Sequence, residues 1–141
     1  MSFFNNTSDG EPKKMQLEVI QSKQFIDVTH SAQFLGLASD LNVYVTIYVW
    51  KRYIVWNNGE NESFNVQQSQ HEREDRILLN ALNLIEINKN ELPEKELYFN
   101  SSIIVRKFQS IAEPELALFK LNFTYNENDA LCLVIDAVNI A

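Results

Sequence analysis

The stretch Asn42-Val43-Tyr44-Val45-Thr46-Ile47-Tyr48-Val49-Trp50-Lys51-Arg52-Tyr53-Ile54-Val55-Trp56 decides how the chain is read. Its β-branched and aromatic side chains suit a pleated, packed surface, so the run predicts one long strand. Val43, Val45, Ile47, Val49 and Val55 hold odd positions, whereas Tyr44, Tyr48, Trp50, Arg52 and Trp56 hold even ones. A pleated backbone sends these sets to opposite sides, one aliphatic and the other aromatic. Asn58-Gly59 follows, a dipeptide suited to a type I′ hairpin turn because both central residues need positive φ. The return strand then carries Phe64 opposite Tyr53 and Val66 opposite Lys51, so register and pattern agree.

After this hairpin, Ser69-Gln70-His71-Glu72 has the form of a capping box. It opens a helix over roughly 70 to 87 that buries Ile77, Leu78, Ala81, Leu82 and Ile85. Glu72 and Arg76 are placed to pair across one turn on the solvent side. Asn88, Asn90 and Pro93 end the helix. Three strand patterns follow. The first covers roughly 96 to 109 and is bent at Ser101-Ser102. Pro114 breaks before the second, in which Ala117, Phe119, Leu121, Phe123 and Tyr125 alternate with Lys120, Asn122 and Thr124. After the loop Asn126–Asp129, the last strand has Leu131, Leu133 and Ile135 on one side, with Cys132, Val134, Val138 and Ile140 on the other. Apolar residues on both sides mark a central strand or one covered by a partner.

Towards the N-terminus, Phe34, Leu37, Ala38 and Leu41 have helical spacing, with Ser31 or Thr29 as cap, over roughly 31 to 40. Phe25, Ile26 and Val28 extend the strand pattern of Met15, Leu17 and Val19 or form a second strand. Residues 1–14 are polar and read as a flexible tail, leaving 15–141 as a single domain. The expected fold is α+β, a mostly antiparallel sheet of about six strands with two helices packed on one face.

Composition excludes several chemistries. The chain has 141 residues, with 12 Lys and Arg against 19 Asp and Glu, a formal net charge of -7. Its 3 glycines, Gly10, Gly36 and Gly59, are too far apart for a phosphate-cradling loop. Its 1 cysteine, Cys132, makes neither an internal disulfide nor a thiolate zinc site, and inside an apolar strand it reads as core packing. The most apolar window, Leu41–Trp56, is shorter than the ~20 residues of a membrane helix and contains Lys51 and Arg52. No basic segment followed by an apolar run opens the chain, so the expected location is cytoplasmic, without a membrane.

The polar clusters have plain structural readings. His71-Glu72-Arg73-Glu74-Asp75-Arg76 holds metal-ligand types, but successive helical residues diverge, and the run reads as a solvated first turn. His30 beside Ser31 lacks the remaining parts of a triad. No catalytic residue, metal or cofactor is expected. The stripe Tyr44, Tyr48, Trp50, Arg52 and Trp56 is the candidate partner-binding surface, since aromatics and Arg dominate binding hot spots. The plainer reading, core under the helices, ranks ahead of the interface for the same stripe. A third reading stacks single-stranded bases on it, with Lys51, Arg52, Arg106 and Lys107 supplying charge, and net acidity argues against that.

The functional expectation is a non-enzymatic protein-interaction module, of the acidic inhibitor, immunity or adaptor type. Its partner is a protein, with a basic one favoured by charge, and self-association is allowed for. The alternatives are a small-molecule site or enzyme between sheet and helices, and a structural subunit of a larger assembly.

Overall fold

The structure is a computed structural model and describes residues 25–36, 41–92, 96–108, 111–126 and 128–138. The expected tail at 1–14 and strand at Met15–Val19 lie outside these residues, as do Leu37 and Ala38 of the first expected helix.

The elements are β1 (Phe25–Asp27), α1 (Thr29–Phe34), β2 (Asn42–Thr46), α2 (Ile47–Val49), a π-helical turn (Trp50–Ile54), α3 (Asn58–Phe64), α4 (Gln70–Ile87), β3 (Leu97–Phe108), β4 (Ile111–Tyr125) and β5 (Leu131–Ala137). The fold is α+β, as expected. Among the described residues it has one five-stranded mixed sheet, in the order β1-β2-β5-β4-β3. The sheet is mostly antiparallel, as expected, but it has five strands among the described residues rather than about six, and one pairing is parallel. β1 with β2, β3 with β4 and β4 with β5 pair antiparallel, but β2 runs parallel to β5. The cause lies in the chain path. After β2 the helical segments carry the chain to the far edge, where β3 starts, and the β3–β4–β5 meander fills inward until β5 meets β2. Among the described residues four helices replace the expected two, because the predicted hairpin over 42–66 is helical after Thr46.

That segment is the main correction. Residues 42–46 pair as a strand with Val43 and Val45 fully buried. Thr46 then turns the chain: its Oγ1 accepts from Val49 N at 3.3 Å and donates to Asp136 Oδ1 at 3.0 Å. The helical turn widens at once, with Val55 N donating to Trp50 O at 2.9 Å, five residues back. Asn58-Gly59 makes no hairpin turn. Asn57 caps α3 instead: Glu60 N donates to its Oδ1 at 3.0 Å, and Asn57 N donates to Glu60 Oε1 at 3.1 Å. Asn65, at φ 55°, ends α3 in the left-handed conformation. Phe64 therefore does not face Tyr53 across a ladder but packs near Trp56, with ring centroids 6.0 Å apart.

The helix over 70–87 forms as expected, with Leu82 and Ile85 half-buried rather than buried. Ser69 Oγ accepts from Glu72 N at 3.1 Å, and Ile77, Leu78 and Ala81 are buried. Arg76 does not pair with Glu72; its Nη1 donates to Ser102 O at 3.4 Å. Helix α1 ends at Phe34, and Phe34 is 82% exposed rather than core. Thr29 is not its cap: Thr29 Oγ1 accepts from Val43 N at 2.8 Å and so ties α1 to β2.

In the meander, pairing runs unbroken through Ser101 and Ser102, and the register shifts only between Arg106 and Phe108. β4 passes straight through Pro114. Val138 N donates to Leu118 O, so even residues of β4 turn their backbone groups towards β5, whose pairing stops at Phe119. The missing N–H of Pro114 thus falls where no strand is paired among the described residues, as proline in a sheet requires. β5 lies centrally, as its two-sided apolar pattern implied, and Cys132 is fully buried.

The core lies between the helices and one sheet face. Val43, Val45, Leu133, Ile135, Phe119, Leu121, Ile103 and Val105 face Ala32, Val49, Tyr53, Ile54, Ile77, Leu78 and Ala81. Phe119 stacks on Phe99 at 5.1 Å and meets Tyr53 edge-on at 5.2 Å. No helix of the described residues is long and apolar enough to cross a membrane.

Candidate functional site

The winding of residues 47–54 brings side chains together that a straight strand would have separated. A strand advances about 3.3 Å per residue, so Tyr48 and Arg52 would stand some 13 Å apart along it. On helical turns, residues four apart are neighbours. Tyr48, Lys51 and Arg52 now line one open depression of about 410 Å³ with Ile47, Val105 and Arg106. Ile47 and the Tyr48 ring supply apolar surface, with the buried Val105 beneath them, while Lys51, Arg52 and Arg106 supply positive charge.

Glu115 on β4 holds this group in place. It accepts from Arg52 Nη2 at 2.6 Å and Nε at 3.2 Å, from Tyr53 Oη at 2.6 Å and from Lys107 Nζ at 2.9 Å. The two-pronged Arg52 contact fixes orientation as well as distance. Hydrogen bonding from Arg52 holds the Glu115 carboxyl at about 2, well below its usual range, with Lys107 and Tyr53 adding to the effect against partial burial. Burial, then the hydrogen bond to Glu115, keep the Tyr53 phenol from ionising at any ordinary pH.

A second cluster lies behind the depression. Arg73 of α4 is only 4% exposed. Its Nε donates to Ile54 O at 3.1 Å, Nη2 to Arg52 O at 3.2 Å, and Nη1 to Ile104 O and to Gln68 Oε1 at 3.2 Å. It therefore satisfies carbonyls at the end of the π-helical turn, where no intrahelical donor exists. The Arg73 guanidinium also lies over the Trp56 ring at 4.7 Å, and that of Arg106 over the same ring at 5.4 Å. Burial first, and the nearby Arg106 second, lower Arg73 to about 10, against the pull of Glu60, so it stays charged at neutral pH. Arg106 pairs with Glu60 of α3 and donates from Nη2 to Lys51 O at 3.3 Å.

The predicted stripe is therefore dispersed. Tyr48 (44% exposed) and Arg52 reach the depression. Trp50 is half-buried against the core, and Trp56 is buried with its Nε1 donating to Asn61 Oδ1 at 2.9 Å. Tyr44 lies half-buried on β2, where burial and the neighbouring Cys132 and Asp27 push its phenol up. The five residues do not form one face, because the face existed only if the segment stayed extended.

Three residues were missed. Arg73 was read as solvated, yet it stands one helical turn before Ile77 and two before Ala81 on the buried stripe, and that spacing could have found it. Glu60 was detectable through Asn57-x-x-Glu60. Nothing in the sequence marks Glu115, whose partner is 63 residues away. In the acidic run of α4, His71 Nε2 meets Asp75 at 3.1 Å, and His30 is exposed and does not line the depression. Among the described residues no three His, Cys, Asp or Glu side chains are grouped so as to hold a metal ion.

Comparison with known protein families, with curated protein sequences and with solved structures finds no match.

Proposed function

We propose that the chain is a non-enzymatic protein-interaction module, and that it meets its partner at the end of the molecule formed by α2, the π-helical turn and β3. The observation that carries this reading is the exposed Tyr48 beside Arg52 at an open depression, with Arg52 clamped by Glu115. Aromatic and Arg side chains carry most binding energy at interfaces, and anchors fixed before binding lose less freedom on association. A π-helical turn at this point adds weight, since such turns cluster at functional sites. The net charge of -7 favours the inhibitor or adaptor form of the reading, with a partner that is basic overall and is steered by long-range attraction.

The test is a tagged pull-down from native lysate, followed by reconstitution with the purified partner. A stoichiometric complex that forms from the two pure components is the expected result. Recovery of the chain with itself alone would sink the reading and favour a structural subunit.

A further inference from the structure

We infer that the depression lined by Tyr48, Lys51, Arg52 and Arg106 takes a short acidic stretch of the partner, with an apolar side chain of that stretch seated on Ile47 and the Tyr48 ring. The inference rests on the interaction-module reading and specifies which chemistry that surface recognises.

Charge is the first argument. In a chain of net charge -7, this corner gathers four cations, Lys51, Arg52, Arg106 and Lys107, against three carboxylates, Glu60, Glu115 and the Glu113 that stands opposite Val105, so it keeps a positive balance. Arg73 adds a buried charge behind the cluster, over the same Trp56 ring as Arg106. A low-dielectric backing strengthens the field felt at the open side.

Unspent donors are the second argument. Arg52 binds Glu115 through Nε and Nη2 and also lies against Tyr53, and its Nη1 makes no hydrogen bond to Glu115. Lys51 is exposed, and its ammonium makes no ion pair or hydrogen bond among the described residues. The two groups together present up to five N–H bonds at one rim, and the planar guanidinium matches a carboxylate. Glu115 is shared between Arg52 and Lys107, and these two cations offset its repulsion of an incoming carboxylate. It holds the guanidinium at its other edge, and its carboxyl stays ionised at neutral pH.

Shape and surroundings narrow the ligand. The depression is open rather than enclosed, which suits a peptide laid across it more than a buried small molecule. Ile47 and the exposed Tyr48 ring offer apolar surface, so part of the occupant is apolar. The remaining acidic surface repels a uniformly acidic partner, so the stretch must belong to a protein that is not acidic overall.

The experiment titrates the full chain, labelled for amide NMR, with a synthetic capped peptide of alternating Glu and Leu. A control peptide carries Gln for Glu, and inorganic phosphate and ATP serve as further probes. Shifts at Tyr48, Lys51, Arg52 and Arg106 with the acidic peptide, weakening as salt rises, are expected. Lys51→Glu, a surface change that leaves the fold intact, should weaken binding about tenfold or more, and Tyr48→Ala by a smaller factor. No binding of the acidic peptide, equal binding of the Gln control, equal binding by Lys51→Glu, or binding of phosphate or ATP in its place would each overturn the inference. A reconstituted partner that still binds Lys51→Glu and Tyr48→Ala at full strength would overturn it while leaving the module reading intact.

Discussion

Residues 42–56 and 111–125 are both fifteen-residue runs rich in strand-forming side chains, yet one winds up after five residues and the other stays extended throughout. In β4 the apolar residues alternate with polar ones from Ala117 to Tyr125, and β3 directly precedes it in the chain as a ladder partner. Pattern and local pairing agree, so the extended form is the obvious minimum. Residues 42–56 are apolar at both parities, so period alone does not tell strand from buried helix. No strand follows at once to pair with them. Their conformation is settled by what lies across the fold: Asp136 on Thr46, Glu115 on Arg52 and Tyr53, and Arg73 on the carbonyls of Arg52 and Ile54. Strand propensity yields when tertiary contacts satisfy the backbone in another form.

The largest expected effect is on Arg73. Arg73→Met leaves carbonyls of Ile54, Arg52 and Ile104 without their donor and should cost about 3–5 kcal/mol. Denaturant unfolding measures the loss, and amide exchange should open residues 50–55 well before β4. Arg73→Lys should not restore stability, because one ammonium does not serve three separated acceptors. A loss below about 1 kcal/mol would mean that the winding is intrinsic to the segment.

Next comes Glu115, which ties the wound segment to the straight one. Glu115→Gln should cost about 1–2 kcal/mol at neutral pH, since the side chain is partly exposed. The Glu115 carboxyl is held down at about 2 in the folded state, so its contribution is complete above the usual carboxylate range. It is lost as pH falls from there towards 2. Thermal melts of the variant and the parent should therefore converge over that window, and a difference that stays constant to low pH would contradict the assignment.

Smaller effects separate the helix at 58–64 from the hairpin that its sequence suggests. Asn57→Ala removes the side-chain arm of the cap, the acceptor for Glu60 N, and leaves the backbone N–H of residue 57 to Glu60, so it should cost about 1 kcal/mol, read from the shift in urea midpoint. Gly59→Ala has the least effect of all. A type I′ turn would not accept alanine at its second central position, but in α3 the added Cβ meets only Asn57 Oδ1 at 3.2 Å. The expected change is within about 1 kcal/mol in either direction. A loss of several kcal/mol would restore the hairpin.

What could be read in advance follows the range of the interaction. Ser69 and the stripe Ile77, Leu78 and Ala81 announced α4 because cap and period act within one helix. The alternation from Ala117 to Tyr125 announced β4, and the two-sided apolar pattern of 131–135 announced a central strand. The Asn57–Glu60 box was equally local but was masked by the stronger turn signal of Asn58-Gly59. The site was legible only in part. Tyr48 and Arg52 were named, but for a face that does not exist, and Glu115 had no sequence signal because its partners come from other elements.

The amino-acid sequence by itself determined the α+β class, the long amphipathic helix, the strands of the meander and the core placement of Cys132, since each rests on spacing within a few neighbouring residues. Tertiary structure decided the parallel meeting of β2 and β5, the winding of 47–54 and the gathering of Tyr48, Lys51, Arg52 and Arg106 into one depression. These depend on a buried guanidinium and a clamped carboxylate whose partners lie many residues away. Local propensity gives no information about donors that arrive from across the fold.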